Sequence, residues 1–376
     1  MTRKSVYFLT FLLLIILSSC GRQDQIAGKF SERSEEIGKK YAPDKSLNLF
    51  TARLTYGDSK WVLRGETTVP AAKAELVSWA DSVIGDEKYL DSLRVLPDTD
   101  LGDNIYGIIN VSVANMRDHP RHSAQMVNQC IMGKAVHLLK KDGGWFLVQT
   151  DYGYLGWMTE DSFLRTDQNG KEEWESSKKV KVKELFTMIR SQPEDNAEPV
   201  TDVVLNARLK PGKILGIWME VSTPDGREGY LPHRMVSDEA GEKLSGDKLR
   251  SKIVFTARSM MGIPYLWGGN SPKGNDCSGF TRTVFEANGI YLPRDARQQV
   301  FSGEEVVPDE NFSNVLPGDL LFFGSKERIT HVGISLGGTE FIHQSGWVHV
   351  ASLNPGSSVY SPSRKSGLQK IKRIFK

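Results

Sequence analysis

Tyr265-Leu266-Trp267-Gly268-Gly269, followed by Asp276-Cys277-Ser278-Gly279-Phe280, is the stretch that decides how this chain is read. A glycine-rich loop delivers a cysteine to the start of an amphipathic segment, residues 278–288, in which Phe280, Val284, Phe285 and Ala287 recur at helical spacing before Gly289 stops it. Cys277 is therefore expected at a helix N-terminus, where free N–H groups and the positive dipole end favour a thiolate and lower its pKa. Two histidines follow, in Thr330-His331-Val332-Gly333 and Phe341-Ile342-His343, on alternating segments that flank Gly337-Gly338 as a hairpin. If paired positions sum to 674 (331 + 343), His331 lies directly opposite His343 on one face. A two-residue turn would shift the register by one and put them on opposite faces, so a three- or five-residue loop or a bulge is required. A thiol, a base to take its proton and a group to orient that base are the parts of a thiol hydrolase.

The rest of the chain narrows the class. With 376 residues, about two to three domains are expected. A net charge of +2 with 25% charged residues carries no polyanion preference, and no basic cluster suits a nucleic acid. The seven histidines lack metal-ligand spacing, there is no Cys-x-x-Cys, and no glycine loop runs into Lys-Ser/Thr, so no metal or other cofactor is expected. Cys130 and Cys277 are both expected free, since a bridge between them would disable the nucleophile. Cys130 lies in the apolar run Val127-Asn128-Gln129-Cys130-Ile131-Met132, which suits a buried, inert thiol.

At the N-terminus, Arg3 and Lys4 precede an apolar run, residues 6–17, and then Leu17-Ser18-Ser19-Cys20-Gly21. A dozen or so apolar residues are too few to span a bilayer, which takes about 20, and the order basic, apolar, small is that of a secretory signal. Leu17-Ser18-Ser19-Cys20 resembles a bacterial lipobox, which implies removal of residues 1–19, lipidation of Cys20 and membrane anchoring. Gly21 offers no acidic inner-membrane retention signal, so an exported lipoprotein on the outer membrane, facing the periplasm, is expected.

Residues 20–105 read as a tether or short helix, polar over 21–45, leading to a small α+β domain. Residues 47–54 and 60–68 form a hairpin across Tyr56-Gly57-Asp58-Ser59, and Pro70 opens a helix over 71–84. An internal repeat follows. Trp145, Val148, Thr150, Gly153, Gly156 and Trp157 match Trp218, Val221, Thr223, Gly226, Gly229 and Tyr230 at a constant offset of 73 (218 − 145). The pattern resembles bacterial SH3-like domains, one over residues 106–167 and a second within 168–240, a stretch that opens with an apolar-poor linker at 168–179. From residue 246 helical periodicity begins, and a catalytic domain is expected over 246–376.

Tyr265-x-Trp267-Gly268-Gly269, Asp276-Cys277-Ser278-Gly279-Phe280, Leu292-Pro293-Arg294, Pro317-Gly318-Asp319-Leu320, His331-Val332-Gly333-Ile334 and Ile342-His343 together resemble the NlpC family of cell-wall cysteine peptidases, in that family's order and spacing. The SH3-like domains ahead of them resemble those of its γ-D-glutamyl-L-diamino acid endopeptidases. The resemblance implies a multidomain fold: a small α+β N-terminal region, two all-β SH3-like barrels and a C-terminal α+β papain-like domain. It also implies a monomer hydrolysing the bond between D-glutamate and diaminopimelate or lysine in murein peptides.

Cys277 would be the nucleophile, His331 the base and His343 its orienting partner. The Tyr265 hydroxyl would join the Cys277 N–H at the oxyanion, and Trp267, Asp276 and Ser278 would line the substrate pocket, Asp276 binding a substrate N–H or ammonium. Arg294 would pair with Asp295 or Asp319. Tyr154 stands where the subgroup contacts a free N-terminal L-alanine, whereas Gln125 replaces its usual glutamate and Ala296 its usual serine; Asp118 or Asp151 could supply the missing acid. The alternatives are a hydrolase of intact peptidoglycan, using the barrels as wall-binding modules, a transferase on the same thiol fold, and a non-catalytic wall-binding lipoprotein.

Overall fold

The computed structural model describes residues 3–58, 60–85, 89–239 and 244–376, with side chains from residue 22 onward. The expected signal segment and the lipidation site Cys20 lie outside the residues whose side chains are described. The chain divides into two units, residues 1–102 with 153–155, and residues 103–152 with 156–376.

In the first unit, α1 (Arg3–Tyr41) precedes β1 (Phe50–Gly57), β2 (Lys60–Thr67), α2 (Pro70–Ile84) and β3 (Tyr89–Val95). β1 and β2 form the expected hairpin, with Tyr56 opposite Trp61, and β3 joins β2 in parallel after the α2 crossover. Pro70 begins α2 as expected, its missing N–H costing nothing in the first turn. Of the two forms expected for the polar stretch after residue 21, the structure has the helix. It is the continuation of α1, whose Ile26, Phe30 and Ile37 face one side and pack with Leu76, Ala80 and Ile84 of α2 and with Trp61 and Leu63. Glu75 fastens the two helices by accepting from Arg33, Lys40 and Tyr41, each at 2.7 Å. Among the described residues no helix is long and apolar enough to cross a membrane.

Among the described residues, the second unit holds three larger sheets besides a two-stranded hairpin of Asn270–Ser271 with Gly274–Asn275. Two are seven-stranded, from Tyr106 to Thr166 and from Val180 to Asp238. The first includes β4 (Met126–Ile131), and its β5 (Trp145–Thr150) and β6 (Leu155–Thr159) carry the sequence repeat; in the second, β7 (Trp218–Ser222) and β8 (Glu228–Pro232) repeat β5 and β6. Val148 and Val221 are each fully buried, and Gly153 and Gly226 share a φ of +83°, which an L side chain rarely adopts. The expected linker is instead partly α3 (Gln168–Ser176). One apolar residue suffices to dock it: Trp174 is buried and its Nε1 donates to the Gly133 carbonyl at 2.9 Å. Lys179 then caps the helix, donating to the carbonyls of Trp174, Glu175 and Ser177.

The third sheet is six-stranded. From one edge its order is Glu304–Glu305, β13 (Leu368–Arg373), β9 (Leu320–Gly324), β10 (Ile329–Gly337), β11 (Glu340–Ser345) and β12 (Trp347–Ser352). α4 (Gly246–Ser259) and α5 (Cys277–Ala287) pack on it, with Phe280, Val284 and Phe285 of α5 set against Leu320, Phe322, Val332, Ile334 and Ile342. The turn between β10 and β11 is short, yet a bulge between Ser335 and Gly337 restores even parity. His343 consequently lies opposite Gly333, not opposite His331. The two histidines are diagonal neighbours on one face, two positions further apart in register than expected.

Candidate active site

Cys277 is the first residue of α5, and Asp276 is its N-cap, accepting from the Gly279 N–H at 2.8 Å. The helix begins hard against the preceding loop: a Cβ on Gly279 would stand 1.9 Å from the Gly269 carbonyl oxygen. Asp276 also accepts from the Gly268 N–H at 3.1 Å and the Ser278 hydroxyl at 3.1 Å. The buried Arg294 guanidinium then grips both its oxygens, at 3.1 and 2.7 Å. Five donors thus converge on a carboxylate with about four lone-pair sites, leaving no acceptor capacity for a substrate ammonium. Asp276 holds the nucleophile's helix in place. Of the two carboxylates expected to pair with Arg294, Asp295 also pairs with Arg297, and Asp319 with Arg373.

Arg294 extends the network into the first barrel. Its Nε donates to Asn128 Oδ1 at 2.8 Å, and the Asn128 Nδ2 donates to the Tyr152 hydroxyl at 2.6 Å. The adjacent Gln129 accepts from the Asn270 N–H and the Ser271 hydroxyl, both at 2.9 Å. Gly268, at φ +74°, meets the same strand so closely that a Cβ would lie 2.4 Å from the Met126 carbonyl oxygen. These barrel residues give no signal in the sequence, because their role depends on partners 141 and 166 positions away.

On the sheet, His331 Nε2 lies 2.8 Å from His343 Nδ1, with the two rings perpendicular. His343 Nε2 lies 3.1 Å from Nε2 of His349, and His349 Nδ1 lies 2.8 Å from the Trp347 carbonyl oxygen. His349, directly opposite His343 across β11 and β12, was not singled out in the sequence; its alternation in phase with His343 was the available signal. Among the described residues no group of three His, Cys, Asp or Glu side chains is arranged to hold a metal ion.

Burial dominates the electrostatics. It pushes the His331 pKa well below 6.5, aided by the Arg364 charge, and it lowers His343 to about 3. Both imidazoles are therefore neutral at neutral pH. Cys277 departs from expectation. Burial and the Asp276 charge push its thiol up to about 11, against the lowering effects of the Val332 and Ser278 backbone N–H groups and Arg294. The helix end thus stabilises a thiolate less than desolvation and the neighbouring carboxylate oppose it. The Val332 contact sets the sulfur beside β10, one residue along from His331.

Tyr265 and Trp267 are exposed, Trp267 at 61%, which excludes core packing for the indole. Burial and the charges of Cys277 and Asp276 raise the Tyr265 hydroxyl to about 12, keeping it a hydrogen-bond donor. Ser278 is buried, its hydroxyl between Asp276 and Arg294. Gln125 is exposed in the loop before β4, whereas Tyr154 is buried and groups with the first unit. Cys130 and Cys277 are both free and buried.

Residues 262–366 match the family model described as NlpC/P60 family, and residues 116–163 match that described as bacterial dipeptidyl-peptidase Sh3 domain. A γ-D-glutamyl-L-lysine dipeptidyl-peptidase of Bacillus subtilis is 31% identical over 227 residues, covering 57% of this chain and 71% of the relative. The chain belongs to the NlpC/P60 family. It is a cysteine peptidase. Dipeptidyl-peptidase 6 of Lysinibacillus sphaericus is 27% identical over 278 residues, covering 71% of this chain and 99% of the relative. The fold is shared with a crystal structure of an NlpC/P60 family protein from Bacillus cereus, with a TM-score of 0.62 and 22% identity over 72% of this chain and all of that one.

Proposed function

We propose that this peptidase hydrolyses cell-wall peptides at the bond between γ-D-glutamate and an L-diamino acid, acting on released murein peptides with a free N-terminal L-alanine. Cys277 attacks the γ-carbonyl carbon as its thiol proton passes to His331. The Cys277 N–H and the Tyr265 hydroxyl stabilise the tetrahedral oxyanion. His331 returns the proton to the leaving amine, then takes one from the water that hydrolyses the thioester. His343 orients His331 throughout, while Trp267 and Ser278 border the substrate.

The observation that carries this is the sulfur at the mouth of a buried helix, in contact with the N–H of Val332, the residue after His331, whose imidazole is hydrogen-bonded at 2.8 Å to a second one. The substrate class is supported by the γ-D-glutamyl-L-lysine dipeptidyl-peptidases among its relatives. Export as a lipoprotein anchored through Cys20 to the outer membrane belongs to the same proposal and is supported by the sequence of residues 3–21.

The test compares L-Ala-γ-D-Glu-diaminopimelate with its N-acetylated form and with intact sacculi. Cleavage of the free peptide alone is expected. Equal rates on the acetylated peptide would end the free-terminus requirement, and faster release from sacculi would favour an enzyme of intact wall. Undiminished hydrolysis by Cys277→Ala or His331→Ala would reject the assigned chemistry.

A further inference from the structure

Three histidines on adjacent strands end at a backbone oxygen, and that end fixes the position of every proton between them. A carbonyl only accepts, so the proton in the contact between Trp347 and His349 belongs to His349 Nδ1. A neutral His349 then presents a bare Nε2. The nitrogen facing it at 3.1 Å, His343 Nε2, must carry hydrogen. Neutral His343 is left with a bare Nδ1, to which His331 Nε2 donates at 2.8 Å. One nitrogen of His331 remains, Nδ1, and it is unprotonated: the form required of a base about to receive a thiol proton.

We propose that His349 is a positioning residue that, anchored on the Trp347 carbonyl, sets the tautomer of His343 and through it that of His331. This rests on His331 being the base, as proposed above. Sequence spacing supports a role for two histidines only; the third adds direction. Without it, His343 is free to carry its hydrogen on either nitrogen, and the tautomer with hydrogen on Nδ1 turns His331 round, placing a proton where the thiol proton must go. Burial keeps His331 and His343 neutral, so the relay is not erased by protonation of either at neutral pH. His349 is only half-buried, so replacing it disturbs little packing.

The experiment compares His349→Gln with His349→Lys in the full chain, by kcat and KM on the γ-glutamyl peptide. Glutamine can still accept from His343 Nε2 through its amide oxygen, whereas the lysine ammonium can only donate and so imposes the wrong tautomer. Glutamine is expected to retain kcat within about fivefold and lysine to lose about 100-fold or more at similar KM, since a reversed tautomer costs up to about 10⁴ in a comparable triad. Equal kcat for both variants, whether high or low, would overturn the proposal. Nitrogen-15 spectra of histidine-labelled protein provide the second readout: Nε2–H on His331 and His343 in the wild type, lost in the lysine variant of a chain that still melts cooperatively. Retention of the wild-type tautomers in that variant would also overturn it. His331→Ala separates the two ideas, because activity surviving there refutes the base itself, whatever His349 does.

Discussion

The two barrels are copies of one module, yet they hold opposite ends of the same helix. The first reaches the N-terminal end of α5, where Asn128 binds Arg294 and Arg294 grips the Asp276 cap beside Cys277. The second reaches the other end. Its Asn206 donates to the Thr283 carbonyl at 3.1 Å, and Lys181 donates to the carbonyls of Glu286 and Ala287 at 3.3 and 3.2 Å, where a cation complements the helix dipole. Between them, the buried Glu286 pairs with Lys134 of the first barrel and feels the charge of Arg208 of the second. Duplication supplied two similar supports, and position relative to the sulfur made one of them part of the chemistry's surroundings and the other a brace.

That contrast is open to attack by substitution. The largest effect is expected from Arg294→Leu, which strands a buried carboxylate. Breaking such a pair costs about 3–5 kcal/mol, and kcat/KM should fall by at least about 100-fold even under conditions where urea unfolding shows the variant folded. Full activity in a stable variant would detach the first barrel from the site altogether. Asn128→Leu, which removes its bonds to Arg294 Nε and the Tyr152 hydroxyl, should cost about 1–3 kcal/mol and lower kcat about tenfold, measured by initial rates at saturating peptide.

In the second barrel, Asn206→Leu should cost about 1 kcal/mol of stability by denaturant titration with kcat held within about twofold. If Asn128 and Asn206 variants lose kcat equally, the two ends are equivalent and the distinction fails. Smallest is Lys181→Met, about 0.3–1 kcal/mol, with the pH profile untouched. Catalysis needs neutral His331, whose pKa burial lowers; kcat/KM should therefore hold as pH falls to 6.5 and decline only through that lower value. A Lys181 variant that moves this acid limb would show the second barrel acting on the site.

The site was legible where its parts are close in sequence. Cys277 announced itself through the glycine loop before it and the periodicity after it, and the hairpin brought its two histidines within view. What stayed hidden depends on register and long separations. The bulge between Ser335 and Gly337 decides the offset of His331 from His343; Gly337-Gly338 allows a bulge but does not say which register it sets. Asn128 acts through an arginine far along the chain, and His349 looks like any polar residue on an edge strand until its neighbour is known. A short helix was readable over the polar stretch, but its packing face of Ile26, Phe30 and Ile37 was obscured by the charged residues between them. At Cys277 the direction of the pKa shift was missed because helix position is local, whereas burial is a property of the whole fold.

Glu286 carries a consequence for how the enzyme is made. Burial would raise its pKa, but Lys134, Arg282 and Arg208 outweigh that and hold it at about 2, and two of those three cations lie ahead of the peptidase domain in the chain. A fragment beginning at residue 246 would keep Cys277 and every histidine of the relay but would leave this anion with Arg282 alone. The scissors and the hands that close them are encoded in separate stretches of polypeptide, so a cut between them disarms the enzyme without touching a single reacting atom.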